Sequence, residues 1–499
     1  MRLRFAAVIK VLLMPQTSLK KQSMSAFVWK LLERAGNQLV QIVVQIVMAR
    51  LLAPEQFGAL AIILVFVNLG NVFVQSGLPT AIIQTPRLES SDASTAFWLS
   101  LSISVVLYIL IFAFAPVVAD VYRMPYLVWP LRALTLILVI NALNSVQVAL
   151  IQRSMEFRKI FNATMWSVLV SAAVGIGSAF AGAGLWALVL QQLSFQTVNC
   201  FAHFIQLDWR PRFEFSVNRA KVLFGFGWKL LASGILDQGY QSLSDLIIGG
   251  QFNASKLGLV SQGKKYPAAV GSLLDGAIQP VMLSAVSKTQ MDLDKVKSIV
   301  RRALKMSCFC IVPSMTLFAI AARPLISLLL GDKWLSCVPF LQMYCVVYML
   351  LPIHTTNLQA LNGLGRSDLF LRLELIKKAI GLINLLVMAF VFHNIYLIVF
   401  SYIFTGILST FINAAPNKWV IGYSYAEQLR DIAPAFFISF VSGLCAYSVV
   451  FLNASSILTI VLEILVMAFV YLGLSKLLHF EAFDYLVITV RDYLDAKRN

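Results

Sequence analysis

Residues 25–80 read SAFVWKLLERAGNQLVQIVVQIVMARLLAPEQFGALAIILVFVNLGNVFVQSGLPT. They predict two long apolar helices separated by a short break at Leu52–Gln56. In the first, Lys30, Arg34, Asn37, Gln38, Gln41 and Gln45 fall on one face at the helical period, with Glu33 near them, and the remainder is Leu, Val and Ile. In the second, Asn68, Asn71 and Gln75 share a face, and Gly77-Leu-Pro79 closes the element. Polar stripes on spans long enough to cross a bilayer are expected to look inward, onto a wet or ligand-filled cavity.

The rest of the chain has the same character. Of 499 residues, 59% are hydrophobic and 13% charged, and the mean hydropathy is +0.80. Soluble domains carry roughly twice that share of charge. Many separate apolar runs of span length predict an all-α polytopic membrane protein, whereas a β-barrel needs short alternating segments. The net charge of +17 would suggest nucleic acid in a soluble chain. Here it reads as the positive-inside signal plus a few intramembrane cations, with no nucleic-acid partner. Cys200, Cys308, Cys310, Cys337, Cys345 and Cys445 are scattered and form no CxxC, so they read as small hydrophobes. His203, His354, His393 and His479 lack metal spacing. No metal and no cofactor is expected.

About fourteen transmembrane helices are predicted. Residues 1–24 form a basic cytoplasmic tail, 25–205 a first lobe of six spans, and 206–221 a cytoplasmic link. A second six-span lobe occupies 222–416, a further cytoplasmic link 417–431, two final spans 432–479 and a cytoplasmic tail 480–499. Loop charges support this count. One alternate set of loops holds Arg87, Arg153, Arg158, Lys159, Arg210, Arg212, Arg219, Lys221, the basic cluster at 288–305, Arg366, Arg372, Lys377, Lys378, Lys418 and Arg430. The other holds Arg50, Arg123, Lys256, Arg323 and Lys333. The heavier set faces the cytoplasm, which places both termini inside. Within 288–305, Val296, Ile299, Val300 and Ala303 line one side and bases the others. That pattern suits a basic amphipathic helix on the inner leaflet and equally a cytoplasmic cap on the next span.

The chain repeats. At an offset of 200, Arg50–Gly58 falls on Gly250–Gly258, Gln38 on Gln238, Gln41 on Gln241, Gln45 on Asp245 and Gln75 on Asp275. A second echo, offset by 213, pairs Arg153–Phe157 with Arg366–Phe370. Duplicated six-span halves predict two pseudo-symmetric lobes, a site between them and alternating access by rocking.

Three stretches carry a family resemblance: Met48-Ala-Arg-Leu-Leu-Ala-Pro-Glu-Gln-Phe-Gly58, Gly77-Leu-Pro-Thr-Ala-Ile-Ile83 and Leu150-Ile-Gln-Arg-Ser-Met-Glu-Phe157. The chain resembles the bacterial polysaccharide exporters, the group of the O-antigen and colanic-acid flippases within the superfamily that also holds multidrug extruders. The resemblance is clearest over about 25–215 and thinner beyond about 310. It implies a flippase that moves undecaprenyl-diphosphate-linked oligosaccharide across the bacterial inner membrane, with membrane lipids and other glycan-assembly proteins as further partners.

Such a substrate needs cations for its diphosphate and amides for its sugars. The candidate binding residues are Lys30, Arg34, Gln38, Gln41, Lys264 and Lys265; Glu33, Gln45, Asp237, Asp245 and Asp275 are candidates for coupling or cavity lining. Ser261, Lys264, Lys265, Ser272, Asp275 and Gln279 keep close to one line down the eighth span. Plainer readings stand beside these. Lys30 and Lys229 snorkel to the inner surface, Glu33 pairs with Arg34, and Asp237 and Asp245 tie helices together. Glu463, alone in the last span and outside the repeat, reads as a packing contact or an accident of ion coupling. No Ser/His/Asp constellation, phosphate loop or large outer loop points to an enzyme. The alternative is an ion-coupled multidrug extruder of the same fold, whose cavity wants acids and aromatics. A structural partner of the glycan machinery is a third class, and it leaves the buried charges unexplained.

Overall fold

The computed structural model describes residues 40–488 apart from 76, 86–87, 453 and 486, and apart from the side chains at 84, 222–224, 226–227, 229–230, 273–275, 277 and 280. The chain divides into two compact units, Met1–Ser255 and Lys256–Asn499. Among the described residues there is no strand.

The first unit contains α1 (Val40–Leu51), α2 (Pro54–Gln75), α3 (Leu78–Gln84), α4 (Ser90–Val121), α5 (Val128–Arg153), α6 (Phe157–Phe180), α7 (Leu185–Gln206) and α8 (Val217–Gln251). From Ala254 the chain runs through α9 (Ala254–Thr289), α10 (Leu293–Ile320), α11 (Ala322–Leu329), α12 (Val338–Met349), α13 (Leu351–Gly363), α14 (Ser367–Phe390), α15 (Ile395–Val420), α16 (Tyr425–Tyr447) and α17 (Ser456–Leu477). Every expected span falls on these helices, except for the part of the first before residue 40, which lies outside the described residues. Among the described residues, nine helical stretches are long and apolar enough to cross a membrane. The chain is a multi-pass membrane protein. α7, α8, α9 and α14 are long enough but fall short on polarity: α7 carries Gln, Asn and His, and the other three carry Asp, Lys, Arg, Glu or Gln along their course.

The repeat is written into the backbone. α1 stops at Leu51 and α2 starts at Pro54; α8 stops at Gln251 and α9 starts at Ala254. Leu52 N–H donates to Met48 C=O at 2.8 Å, and Phe252 N–H to Ile248 C=O at 3.0 Å. The offset of 200 therefore holds for hydrogen bonds as well as residue types. Farther on it becomes 210. α6 spans Phe157–Phe180 and α14 spans Ser367–Phe390, and the next helices begin at Leu185 and Ile395. The bends before them match at the same offset. Ser154, Met155 and Glu156 N–H donate to Leu150, Gln152 and Ile151 C=O, as Leu364, Gly365 and Arg366 do to Ala360, Asn362 and Leu361. Met155 (φ 56°) and Gly365 (φ 73°) hold the left-handed position. The 213 register expected from the Arg-Ser match is thus three residues off. The left-handed residue sets this bend, and in the first half it is a Met, which gives no sequence signal. The lengthening from 200 to 210 falls where the short helix α11 is inserted between α10 and the 3-10 turn Asp332–Cys337.

Two local features shape the units. The link after α7 is docked on the start of α4: Arg219 pairs with Asp92 (2.5 Å) and Glu89 (2.6 Å), Trp98 Nε1 donates to Arg212 C=O (2.7 Å), and Trp98 stacks on Phe213. That contact holds α8 to the first unit. In the second unit, the basic run at 288–305 resolves to a cap on a span. Asp292 accepts from Lys295 N–H (3.1 Å) to start α10, which continues unbroken to Ile320. Hydrogen bonds from that backbone N–H and from the Lys295 side chain hold the Asp292 carboxyl below its ordinary range. Val296, Val300, Leu304 and Cys308 are fully buried. Three of the bases that follow are held by acids: Lys297 by Glu427 (3.0 Å), Arg301 by Asp431 through two bonds of 2.7 Å, and Lys305 by Asp431 (3.1 Å) and Glu481.

Candidate functional site

The predicted site residues lie in both units. Lys30, Glu33, Arg34 and Gln38 are outside the described residues. Gln41 and Gln45 are half-buried on α1, one turn apart and on the same face as the buried Val44 and Met48, while Val43 and Arg50 are exposed on the opposite side. On α2, Asn68 and Gln75 are exposed, but Asn71 Oδ1 accepts from Asn141 Nδ2 of α5 at 2.8 Å. Asn71 therefore ties two helices together instead of facing a ligand. Sequence reasoning missed the rest of this internal polar seam. Asn144 donates to Asn199 of α7 (3.0 Å) and meets His203 Nδ1 (3.0 Å), and Asn144 and His203 are both buried. The available signal was Asn141 and Asn144, three apart on one face of an apolar helix.

On α8 the face carrying Asp237, Gln238, Gln241 and Asp245 covers an arc of about 100°. Gln241 Nε2 donates to Asp237 (2.9 Å) and Gln238 Nε2 to Ser242 Oγ (3.0 Å). Asp237 and Gln241 are exposed, and Asp245 is half-buried. The face offers carboxylates and amides already oriented by their i,i+4 partners. At the ends of the same helices, Glu55, Tyr122, Arg123, Tyr126, Gln251 and Asn253 line a polar cavity of about 610 Å³. Tyr126 Oη donates to Glu55 there (2.9 Å), and Tyr122 Oη to the Leu246 carbonyl (3.3 Å). Its parts come from three loops far apart in sequence, so no local pattern revealed it.

The second unit carries the cations. α9 is pressed against α12 through two glycines. A Cβ at Gly263 would lie 2.8 Å from Phe340 Cβ and 2.9 Å from Leu341 N, and one at Gly271 would lie 2.7 Å from the Tyr348 ring. Gln262 and Tyr266 are buried beside that contact. Lys264 and Lys265 follow Gly263 by one and two residues, so they leave the helix about 100° and 200° round from it. Both are half-buried, as are Ser261 and Gln279; Ser272 is exposed. Lys265, Ser261, Ser272 and Gln279 thus lie on the side of α9 turned away from Gly263, and Lys264 lies at the edge of the α12 contact, about 20° round from Gly271. The Asp275 side chain lies outside the description. The line supplies two ammonium groups with hydroxyls and an amide alongside, which suits an anion carrying hydroxylated groups.

Comparison with known proteins gives a consistent result. A family model described as "Polysaccharide biosynthesis protein" matches residues 47–339. The lipopolysaccharide biosynthesis protein WzxC of Escherichia coli (strain K12) is 24% identical over 443 residues, covering 86% of this chain and 88% of its own. The succinoglycan biosynthesis transport protein ExoT of Rhizobium meliloti (strain 1021) is 23% identical over 339 residues, 68% of this chain and 69% of its own. Among solved structures, the lipid II flippase MurJ in an inward closed conformation superposes with a TM-score of 0.72 at 13% identity, over 91% of this chain and 99% of that one. An inward-facing multidrug resistance transporter of the MATE family superposes at 0.57 and 14% identity, over 77% of this chain and 94% of its own. At these identities the structural likeness speaks for the fold alone.

Proposed function

We propose, from the premise that the chain belongs to the polysaccharide biosynthesis protein family matched over residues 47–339, that it is a flippase for lipid-linked oligosaccharide in a bacterial inner membrane. Its cargo is an oligosaccharide on undecaprenyl diphosphate, carried from the inner to the outer leaflet by alternating access. The chain performs transport and no covalent chemistry on the glycan. The observation that carries this reading is the pair Lys264 and Lys265 on the polar side of α9. A base at a helix centre costs about 2.5–3.5 kcal/mol to insert even on a lenient scale. A diphosphate offsets that cost with charge-assisted contacts, and Ser261, Gln279, Gln41 and Gln45 supply groups for sugar hydroxyls. The names of the WzxC and ExoT relatives, one of lipopolysaccharide biosynthesis and one of succinoglycan transport, support the same substrate class.

The direct test is reconstitution. In vesicles holding the purified chain and a fluorescent undecaprenyl-diphosphate oligosaccharide, the glycan is expected to move between leaflets and become accessible to an added glycosidase. Protein-free vesicles give the baseline. Asp237 and Asp245 on α8 are the observation that favours the multidrug alternative. Export of a cationic dye by vesicles that do not flip the glycan would replace the flippase reading.

The orientation places both termini in the cytoplasm, on the strength of the loop charges. A reporter fused after Asn499 is expected to be active only when it requires the cytoplasm; one active only in the periplasm overturns the topology.

A further inference from the structure

Glu463 stands apart from everything above. It is the eighth residue of α17, about 10 Å along the helix from Ser456. It is fully buried, and neither carboxyl oxygen has a hydrogen-bond partner among the described residues. With Thr459, Met467, Tyr471 and Ser475 it forms the buried stripe of α17, which packs against α16, α10 and α11. Among the described residues the one base buried on those helices, Lys305 of α10, is held by Asp431 and Glu481. From Met306 to Ile320, α10 offers only the thiols of Cys308 and Cys310; from Ile432 onward, α16 offers only Cys445 and Tyr447. Arg323 of α11 and Lys476 of α17 are exposed. On α16 the buried residues from Ser439 onward are Ser439, Ser442, Gly443 and Ala446, small groups that leave the carboxyl no counter-charge.

An isolated carboxylate in such a place is prohibitively costly, so the group carries a proton. A carboxylic acid with no partner still costs about 1–3 kcal/mol as an unsatisfied polar group. As a packing element, therefore, it is worse than the Leu or Met that would fill the same space. An ionisable side chain inside a span calls for a role that uses its ionisation.

We propose that Glu463 is a proton-binding site, loaded in this conformation, that exchanges its proton with water when α17 shifts during the transport cycle. In the step the carboxyl O–H bond breaks, the electron pair stays on oxygen and the proton passes to a water molecule; reloading is the reverse. The inference rests on the flippase reading for its cycle, but the site itself is measurable without any glycan.

The test uses the full chain and Glu463→Gln, which keeps shape and removes titration. Infrared spectra of the purified wild type at neutral pH are expected to show a protonated carboxylic-acid band that Glu463→Gln lacks. No such difference overturns the proposal. In vesicles, Glu463→Gln is expected to bind the lipid-linked glycan and unfold at the wild-type temperature, yet flip it slower by roughly tenfold or more. Full-rate flipping by the variant overturns the proposal as well. If the variant fails to accumulate, the wild-type spectrum recorded against Glu463→Asp decides: an unshifted acid band overturns it. If the wild type moves no glycan, the flippase reading fails, and the infrared comparison still decides whether the proton is there.

Discussion

Changing Lys264 and Lys265 together to Gln is expected to abolish glycan export while leaving the protein in the membrane at normal abundance. Both side chains are half-buried, Lys265 on the side of α9 turned from Gly263 and Lys264 at the edge of the α12 contact, and the close approach itself is made by Gly263 and Gly271. Gln retains length and hydrogen bonding, and it removes an insertion cost of about 2.5–3.5 kcal/mol per base. The fold should therefore be unharmed or slightly favoured. What is lost is charge. Hydrogen bonds to ionised groups are worth about 1.5–3 kcal/mol each, so losing two removes about 3 kcal/mol or more from diphosphate recognition. That corresponds to a fall of more than about a hundredfold. Surface glycan measured against membrane abundance checks it, with the vesicle assay as the second readout. Wild-type export in the double variant would remove the lysines from the site. Each single variant should lose less, because an ammonium is a mobile point charge and one neighbour can partly cover for the other.

The general architecture was legible because a bilayer leaves few choices. Continuous apolar runs must be helices, so the spans from residue 56 onward appear where hydropathy puts them. The break at Leu52 and its echo at Phe252 were legible too, since the Arg50–Gly58 and Gly250–Gly258 stretches align residue by residue. Legibility failed where two physical causes leave one pattern. Asn68, Asn71 and Gln75 share a helical face, but only a partner on α5 reveals that Asn71 is interhelical. A polar residue facing a cavity and one facing another helix have the same period. The bases at 297–305 looked like a membrane-surface stripe because Glu427, Asp431 and Glu481 lie more than a hundred residues away. The break between α12 and α13 at Leu350 was readable in part. Pro352 cannot donate to the turn before it, whereas the matching span α5 runs uninterrupted from Val128 to Arg153. The candidate site divides along the same line. That Lys264 and Lys265 belong to one long helix with Ser261 and Gln279 was legible, whereas the Gly263 contact with Phe340 had no signal in sequence.

That contact yields the second large expectation. Gly263→Leu should strongly reduce folded protein, and Gly263→Ala should lower thermal stability in detergent, while Gly177→Ala raises it slightly. All three replace a helical glycine, and Ala is intrinsically better than Gly in a helix by about 1 kcal/mol. At Gly177 of α6 nothing lies within 4 Å of the added Cβ, so the intrinsic gain is realised. At Gly263 the added atom would sit 2.8 Å from Phe340 Cβ, 2.9 Å from Leu341 N and 3.2 Å from Cys337 O. Two of those three are backbone atoms, and Phe340 is 2% exposed and stacked on Tyr396. None can rotate away, so α9 and α12 must separate. Overpacking of this kind costs about 1–3 kcal/mol, which exceeds the gain in propensity, and Leu adds three more carbons to the clash. Gly70 of α2 makes an instructive contrast. Its Cβ would come within 2.6 Å of Leu138, but only the ends of that side chain are hit, and a rotamer change absorbs part of the cost. The expected order of unfolding temperatures is Gly177→Ala highest, then wild type, Gly70→Ala, Gly263→Ala, with Gly263→Leu lowest. If Gly263→Ala unfolds with or above the wild type, the close approach of α9 to α12 is wrong. The direction assigned to Lys265 would then fall with it, because the same helix rotation that brings Gly263 onto Phe340 turns that lysine away.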